Sequence, residues 1–284
     1  MTSFAECHVW SLPLMPKPSS WTGFLDDTEL SRCSAFDQEA DLARFVTGRV
    51  LAKTTLAFLA GTRPGAIRLG VECQDCGGPH GKPRVLGAAK GWELSIAYAG
   101  ELAVVALARG TALGIDVERA GAWRGPGLPP QYDLVLTPVE RATLELIPPR
   151  RRVRATLAHW TRKQAVLKAT GEGHGTPMTD FSLSGPDRPA ALLGWHPPDR
   201  RRPVPAIADI EVGRGYHGAV AALGVRRVVP LVHDGAELRT LLPGLATGTP
   251  SPGRLRTRRI RELSARLARP PRPARAKSPA AALI

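Results

Sequence analysis

The chain has 284 residues, 43% hydrophobic and 23% charged, with a formal net charge of +14. That is enough chain to bury a sizeable core in one large domain or two small ones, and no run approaches the 18 or so consecutive apolar residues of a transmembrane helix. Four cysteines in this length do not make a disulfide framework, and residues 1–18 lack the basic start and apolar stretch of a secretory signal, so a reduced, cytoplasmic protein is expected.

The charge is uneven. Residues 251–284 hold ten Lys/Arg and one acid, Glu262, a surplus of +9; the preceding residues carry only +5. The tail is rich in Pro, Ala and Arg and poor in bulky apolar side chains. Such a segment cannot bury enough surface to offset its ordering entropy, so 233–284 is expected to be disordered, with at most a short helix near 255–267. A nucleic-acid-binding protein acting through this tail is one reading the charge invites. The mildly basic remainder suits an anionic small molecule or an acidic protein equally well.

Asp37 is placed to cap a helix reaching about Ala60, with an apolar stripe of Leu42, Phe45, Val46, Ala52, Leu56 and Leu59, and Gly61 as its stop. A Gly/Pro-rich loop follows. It contains Cys73, Cys76 and His80, which would need Cys7, His8 or Cys33 to complete a zinc site; free thiols in a loop are the plainer alternative. In the same loop, the stiff turn Gly81-Lys82-Pro83 lets a lysine meet an anion at little cost in chain entropy. Leu94, Ile96 and Tyr98 alternate with small or polar residues, Gly100-Glu101 forms a turn, and 102–108 and 114–118 read as further strands of a β-meander. Thr137-Pro138-Val139-Glu140 has the form of a capping box with Pro at the first helical position. A helix over 153–170 stops at Gly171, and strands recur at 181–184, 207–212 and 218–223. Helix then strands, twice over, argues for an α+β chain of two similar halves, 1–110 and 111–232.

Two segments carry chemistry. In an extended Gly114-Ile115-Asp116-Val117-Glu118, Ile115 and Val117 face one way and both carboxylates the other. Carboxylates so placed repel unless a cation lies between them, and Mg²⁺ suits such oxygen ligands; a solvated strand face is the alternative. On the later helix, Trp160, Gln164 and Lys168 lie one turn apart on one stripe, able to hold a phosphate and its metal, or simply part of an amphipathic helix.

Taken together, Gly114-Ile115-Asp116-Val117-Glu118, then Trp160-Thr161-Arg162-Lys163-Gln164-Ala165 with Lys168-Ala169 and Gly171, with Gly81-Lys82-Pro83 upstream, resemble the Sfp-type 4′-phosphopantetheinyl transferases. His8-Val9-Trp10, Pro177-Met178-Thr179-Asp180-Phe181 and Gly215-Tyr216-His217-Gly218-Ala219-Val220 are similar too, so the resemblance covers roughly residues 8–230. It implies two pseudo-symmetric α/β halves in one monomeric chain, with coenzyme A in the cleft between them. It also implies transfer of the phosphopantetheine arm to a serine of an apo acyl or peptidyl carrier protein, releasing 3′,5′-ADP. Membrane and nucleic acid are not expected as partners. The catalytic residues implied are Asp116, Glu118, Gln164 and Lys168. The first three would hold Mg²⁺; Lys168 would bind phosphate and help the leaving group. Arg32, Arg44, Lys82, Tyr98 and Lys163 fall at positions implied to contact coenzyme A.

The sequence departs from the family at two positions. The family's Trp-x-x-Lys-Glu-Ala has Gln164 for its glutamate. An amide oxygen can ligate Mg²⁺ but takes no proton near pH 7, which leaves Glu118 or a water to do so. The family's Ser-His-Ser is here Ala97-Tyr98-Ala99. Tyr98 brings no positive charge, so weaker coenzyme A binding is expected. A coenzyme A-binding relative with a degraded site is the alternative these two positions raise.

Overall fold

The computed structural model describes residues 4–15, 17–72, 77–78, 81–121 and 130–233. Strand β1 (Ala5–Pro13) pairs antiparallel with β5 (Leu102–Arg109), which pairs antiparallel with β4 (Trp92–Ala99). The last described strand, β11 (Val228–His233), runs parallel to β1 on its other side, giving the order β11-β1-β5-β4. A second, antiparallel sheet has the order β6-β10-β9, built from β6 (Leu113–Arg119), β9 (Ala206–Ile210) and β10 (Tyr216–Ala222). Two hairpins complete the strands: β2 (Ile67–Gly70) with β3 (Arg84–Gly87), and β7 (Phe181–Leu183) with β8 (Leu192–Trp195). The helices are α1 (Asp27–Cys33), α2 (Glu39–Ala60), α3 (Pro138–Glu145) and α4 (Pro149–Thr170). The chain is thus a mixed α/β protein.

Period-two alternation divides the core into layers. Trp10, Leu94, Val105 and Leu107 turn one way, onto Val46, Val50, Leu51 and Phe58 of α2. Their neighbours Val9, Ala97, Val104 and Ala106 turn the other way and meet Leu113, Ile115, Val117 and Val220 of the second sheet. The opposite face of that sheet, through Ala219 and Ala221, packs on Ala165, Val166 and Ala169 of α4. The order is helix, sheet, sheet, helix, and the small side chains between the sheets bring the two β layers close. Both long helices end on a glycine in the left-handed conformation, Gly61 at φ 66° and Gly171 at φ 82°, where other residues would be strained.

Several expectations need correction. The helix after Asp37 starts at Glu39, and its N-cap is Gln38, with no side-chain cap. The helix expected from 153 starts one turn earlier, because Pro149 is accepted in a first turn whose amides have no partners anyway. The meander breaks after β5: β6 joins β10 in the other sheet, and the Ile115 amide donates to the Ser95 hydroxyl of β4 at 3.1 Å. The strand at 216–222 is not the last, since β11 follows it and reaches His233, one residue past the expected boundary at 232. The capping box at Thr137 and Glu140 forms as read. Cys73, Cys76, His80 and the tail from 234 onward lie outside the described residues. Of the proposed completing ligands, Cys7 is sealed between the sheets, and burial pushes its thiol up to about 12.

Candidate active site

The site lies on the seam where α4 crosses β6. Gly114 permits the crossing: a Cβ there would collide with the Ala165 carbonyl and the Ala169 amide of α4. With Ile115 and Val117 turned between the sheets, Asp116 and Glu118 face α4 instead of water. The solvated-face alternative is therefore not what the strand adopts. Lys168, one turn from the end of α4, donates to Asp116 Oδ1 at 2.7 Å and to the Ile115 carbonyl at 3.0 Å. Trp160, two turns earlier, lies close enough to Glu118 to favour its charged form. Gln164 lies between them on the same stripe of α4, half-buried.

The electrostatics of the pair suit a cation. Burial raises the Asp116 carboxyl above its usual range, against the pull of Lys168. Burial, then the charge of Asp116, pushes Glu118 up to about 7. Asp116 Oδ2 is buried with no hydrogen-bond partner, a cost that a positive ligand would relieve. No cluster of three or more His, Cys, Asp or Glu side chains suited to a metal occurs among the described residues. The protein could therefore supply two carboxylates and an amide oxygen, leaving other positions to water and phosphate. That is how Mg²⁺ is usually bound, and the residues fit it.

Beside the seam opens a cleft of about 710 Å³ whose walls come from residues 32–98 and 167–175. Arg32, Arg44, Lys82, Tyr98 and Lys168 all line it, so most of the residues singled out in the sequence converge on one cavity. Lys82 bridges its two walls, donating to the Ala169 carbonyl at 3.2 Å at the end of α4, and burial lowers its pKa. Arg44 is half exposed and paired with Asp41 at 2.7 Å.

Lys163 is the correction here. Its ammonium is wholly buried and donates to Glu140 Oε2 at 2.6 Å and to the carbonyls of Val135, Met178 and Phe181. With its donors taken, it pins α4 to α3 and β7 and does not face the cleft. Arg162 is similarly committed, to the Asp209 carboxylate and the carbonyls of Ser184 and Gly185. His159 is buried, and the loss of solvation draws its pKa down to about 4, so it stays neutral as core. The sequence reading passed over Arg49, an interior helix position whose side chain lines the cleft. Its only signal was a charge on an otherwise buried stretch.

Residues 112–221, which span β6 to β10, match the sequence model of the 4′-phosphopantetheinyl transferase superfamily. The chain is also similar to the 4′-phosphopantetheinyl transferase HetI of Nostoc sp., 29% identical over 180 residues that cover 59% of this chain and 70% of the relative. It is 26% identical to a putative 4′-phosphopantetheinyl transferase of Synechocystis sp., over 58% of this chain and 65% of that protein. By these matches the chain is a transferase enzyme, and coenzyme A is in general the substrate of the superfamily it resembles. None of its helices, among the described residues, is long and apolar enough to cross a membrane.

Proposed function

We propose that the chain is a cytoplasmic, monomeric Sfp-type enzyme that transfers the 4′-phosphopantetheine arm of coenzyme A to a serine of an apo acyl or peptidyl carrier protein. The observation that carries this reading is Lys168, which is bonded to Asp116 of the carboxylate pair and also lines the cleft with Arg32, Arg44, Arg49 and Lys82, although the carboxylates themselves are not in its lining. Residues 1–110 and 111–233 would be its two related halves, each with a long helix on a sheet and with β11 of the second joining the sheet of the first, and 234–284 would be appended to them.

Asp116, Glu118 and the Gln164 amide oxygen would hold Mg²⁺, which when bound offsets the charge of the coenzyme A pyrophosphate. Phosphoryl transfer needs little covalent help from a protein, so positioning and charge neutralisation supply most of the catalysis. Arg32, Arg44 and Lys82 bind the nucleotide's phosphates. Lys168 keeps its ammonium beside the reacting phosphate with a third N–H free for the departing oxygen. The serine Oγ attacks the pantetheine phosphorus, the bond from that phosphorus to the ADP phosphate oxygen breaks, and 3′,5′-ADP leaves. The serine proton passes to Glu118 or to a water, since the Gln164 amide cannot take it.

Intact-protein mass spectrometry of an apo carrier incubated with the chain, coenzyme A and Mg²⁺ tests this. A gain of one phosphopantetheine arm, lost with excess EDTA or in Asp116→Ala, is the expected result. No gain with several carriers, from a folded chain that still binds coenzyme A, would favour the degraded relative that Gln164 suggests.

A further inference from the structure

A second cavity lies away from the cleft. It holds about 680 Å³ between the first half of α4 and the outer strands of the second sheet, a volume in the range of small-molecule sites. One wall is α4, which turns Arg150, Arg151, Arg154, Ala155 and Ala158 toward it. This is a different face of the helix from the stripe of Trp160, Gln164 and Lys168. The facing wall is formed by Asp209, Ile210 and Glu211 at the end of β9 and by His217 of β10, and Asp187 closes one end. Ala155 and Ala158 are short, so the helix does not fill the space in front of β9.

Pairing sorts the charges around this cavity. Arg151 donates to the Asp187 carboxylate at 3.0 Å. Asp209 accepts from Arg162 Nε at 2.7 Å and from Nη2 at 2.6 Å. Those four charges cancel. Arg150, Arg154 and Glu211 line the cavity and make no hydrogen bond or ion pair with a described residue. Arg150 and Arg154 stand one helical turn apart, so both guanidinia can close on one anion. Burial, then the charge of Arg154, lowers the His217 pKa, so that guanidinium already acts on the inside of the cavity. The charges left over are two cations on one wall and one carboxylate on the other, with Ile147, Ala155 and Ile210 as apolar surface.

A simple anion would use the arginines and leave Glu211 and the apolar surface idle. A molecule with a phosphate at one end and a hydroxyl or amino group at the other would use all three. We propose that this cavity binds the phosphate monoester of a small organic molecule, nucleoside monophosphate in size, with the phosphate on Arg150 and Arg154 and the polar far end on Glu211. Guanidinium forks match the oxygens of a monoester in bidentate fashion. The inference goes beyond the transferase reading and does not depend on it.

The test is calorimetric titration of the full chain with adenosine 5′-monophosphate and with inorganic phosphate. The variants are Arg150→Gln, Arg154→Gln, Glu211→Ala and, in the cleft, Arg44→Gln. The wild type should show a nucleotide-binding component that Arg150→Gln and Arg154→Gln each weaken by about 10-fold, the loss of one charge-assisted pair. Arg44→Gln should leave that component unchanged. The nucleotide should bind more tightly than inorganic phosphate, and Glu211→Ala should narrow the difference, because it removes both a partner for the organic end and a charge that repels phosphate. No saturable binding at about millimolar concentration, binding that only Arg44→Gln alters, or inorganic phosphate held as tightly as the nucleotide would each overturn the inference.

Discussion

Glu118 is where local chemistry has a measurable consequence for the free protein. Its carboxyl is raised from 4.5 to about 7, first by burial and then by Asp116. The folded state therefore binds this proton more tightly than the unfolded chain does. The resulting stabilisation is complete below about pH 4.5 and is lost as the pH rises through 7. Measured in EDTA by urea denaturation, the stability of the wild type minus that of Glu118→Gln should fall by about 1–2 kcal/mol between pH 5 and 7.5, allowing for solvent screening at a half-buried group. A difference that stays flat would show that Glu118 is not perturbed. The neighbouring Gln164 gives a complementary prediction. Gln164→Glu would add a third negative group to the α4 stripe that carries Trp160 and Lys168. The Mg²⁺ concentration for half-maximal transfer should drop by about 10-fold, as ligand charge governs affinity for hard cations; an unchanged requirement would place residue 164 outside the metal's reach. The pattern of the carboxylates was legible in the sequence because a strand alternates strictly. The place of Arg49 in the cleft wall was not, because only the packing of α2 against β4 turns that helix position toward the cleft.

At the scale of elements, the seam between β6 and α4 sets the geometry of the site, and two substitutions probe it. Gly114→Ala would drive a methyl into backbone atoms of α4 that cannot rotate away. It should destabilise the fold by about 1–3 kcal/mol, or more if the helix cannot shift, and it should reduce transfer by separating Lys168 from Asp116. Thermal melting and the carrier assay read the two effects. Lys163→Met should have the opposite profile. It strands the buried Glu140 carboxylate, a loss of about 3–5 kcal/mol, yet any folded fraction should bind coenzyme A normally. A selective loss of coenzyme A affinity without destabilisation would return Lys163 to the cleft. The adjacent lysines show the limit of reading a helix from its motif. Lys163 and Lys168 lie in the same motif, and only the helix rotation, fixed by the apolar contacts of Ala165, Val166 and Ala169, decides which one faces the ligand. The helices α2, α3 and α4 and the strands β4 to β7, β9 and β10 were readable from glycine stops, a capping box and alternation, whereas α1 and the short strands β2, β3 and β8 were not read. The break of the meander was not, since β5 and β6 are close in sequence and local pattern carries no information on which sheet a strand will join.

The whole molecule depends on a contact between the far ends of its described chain. β11 pairs in parallel with β1 across more than two hundred residues, and His233 stacks on Trp10 with ring centres 4.1 Å apart. Parallel neighbours joined by so long a connection leave no local signature, which is why the sequence reading ended one strand early. This pairing divides the C-terminal region into a part the fold requires and a part the transfer reaction should not. A chain ending at residue 227 would lack β11, expose the edge of β1 and uncover the ring of Trp10. It should aggregate or melt well below the full chain, because an unpaired inner strand is a template for association. A chain ending at residue 250 keeps β11 and loses only the segment whose surplus is +9. It should melt as the full chain does and transfer the arm to an apo carrier at nearly the same rate, while retention on immobilised DNA at low salt should weaken sharply, as a charge-driven contact does. If transfer instead collapses in the 250-residue chain while its melting is unchanged, the basic tail takes part in the reaction, through carrier docking or nucleic acid, and the function cannot be assigned to the cleft alone.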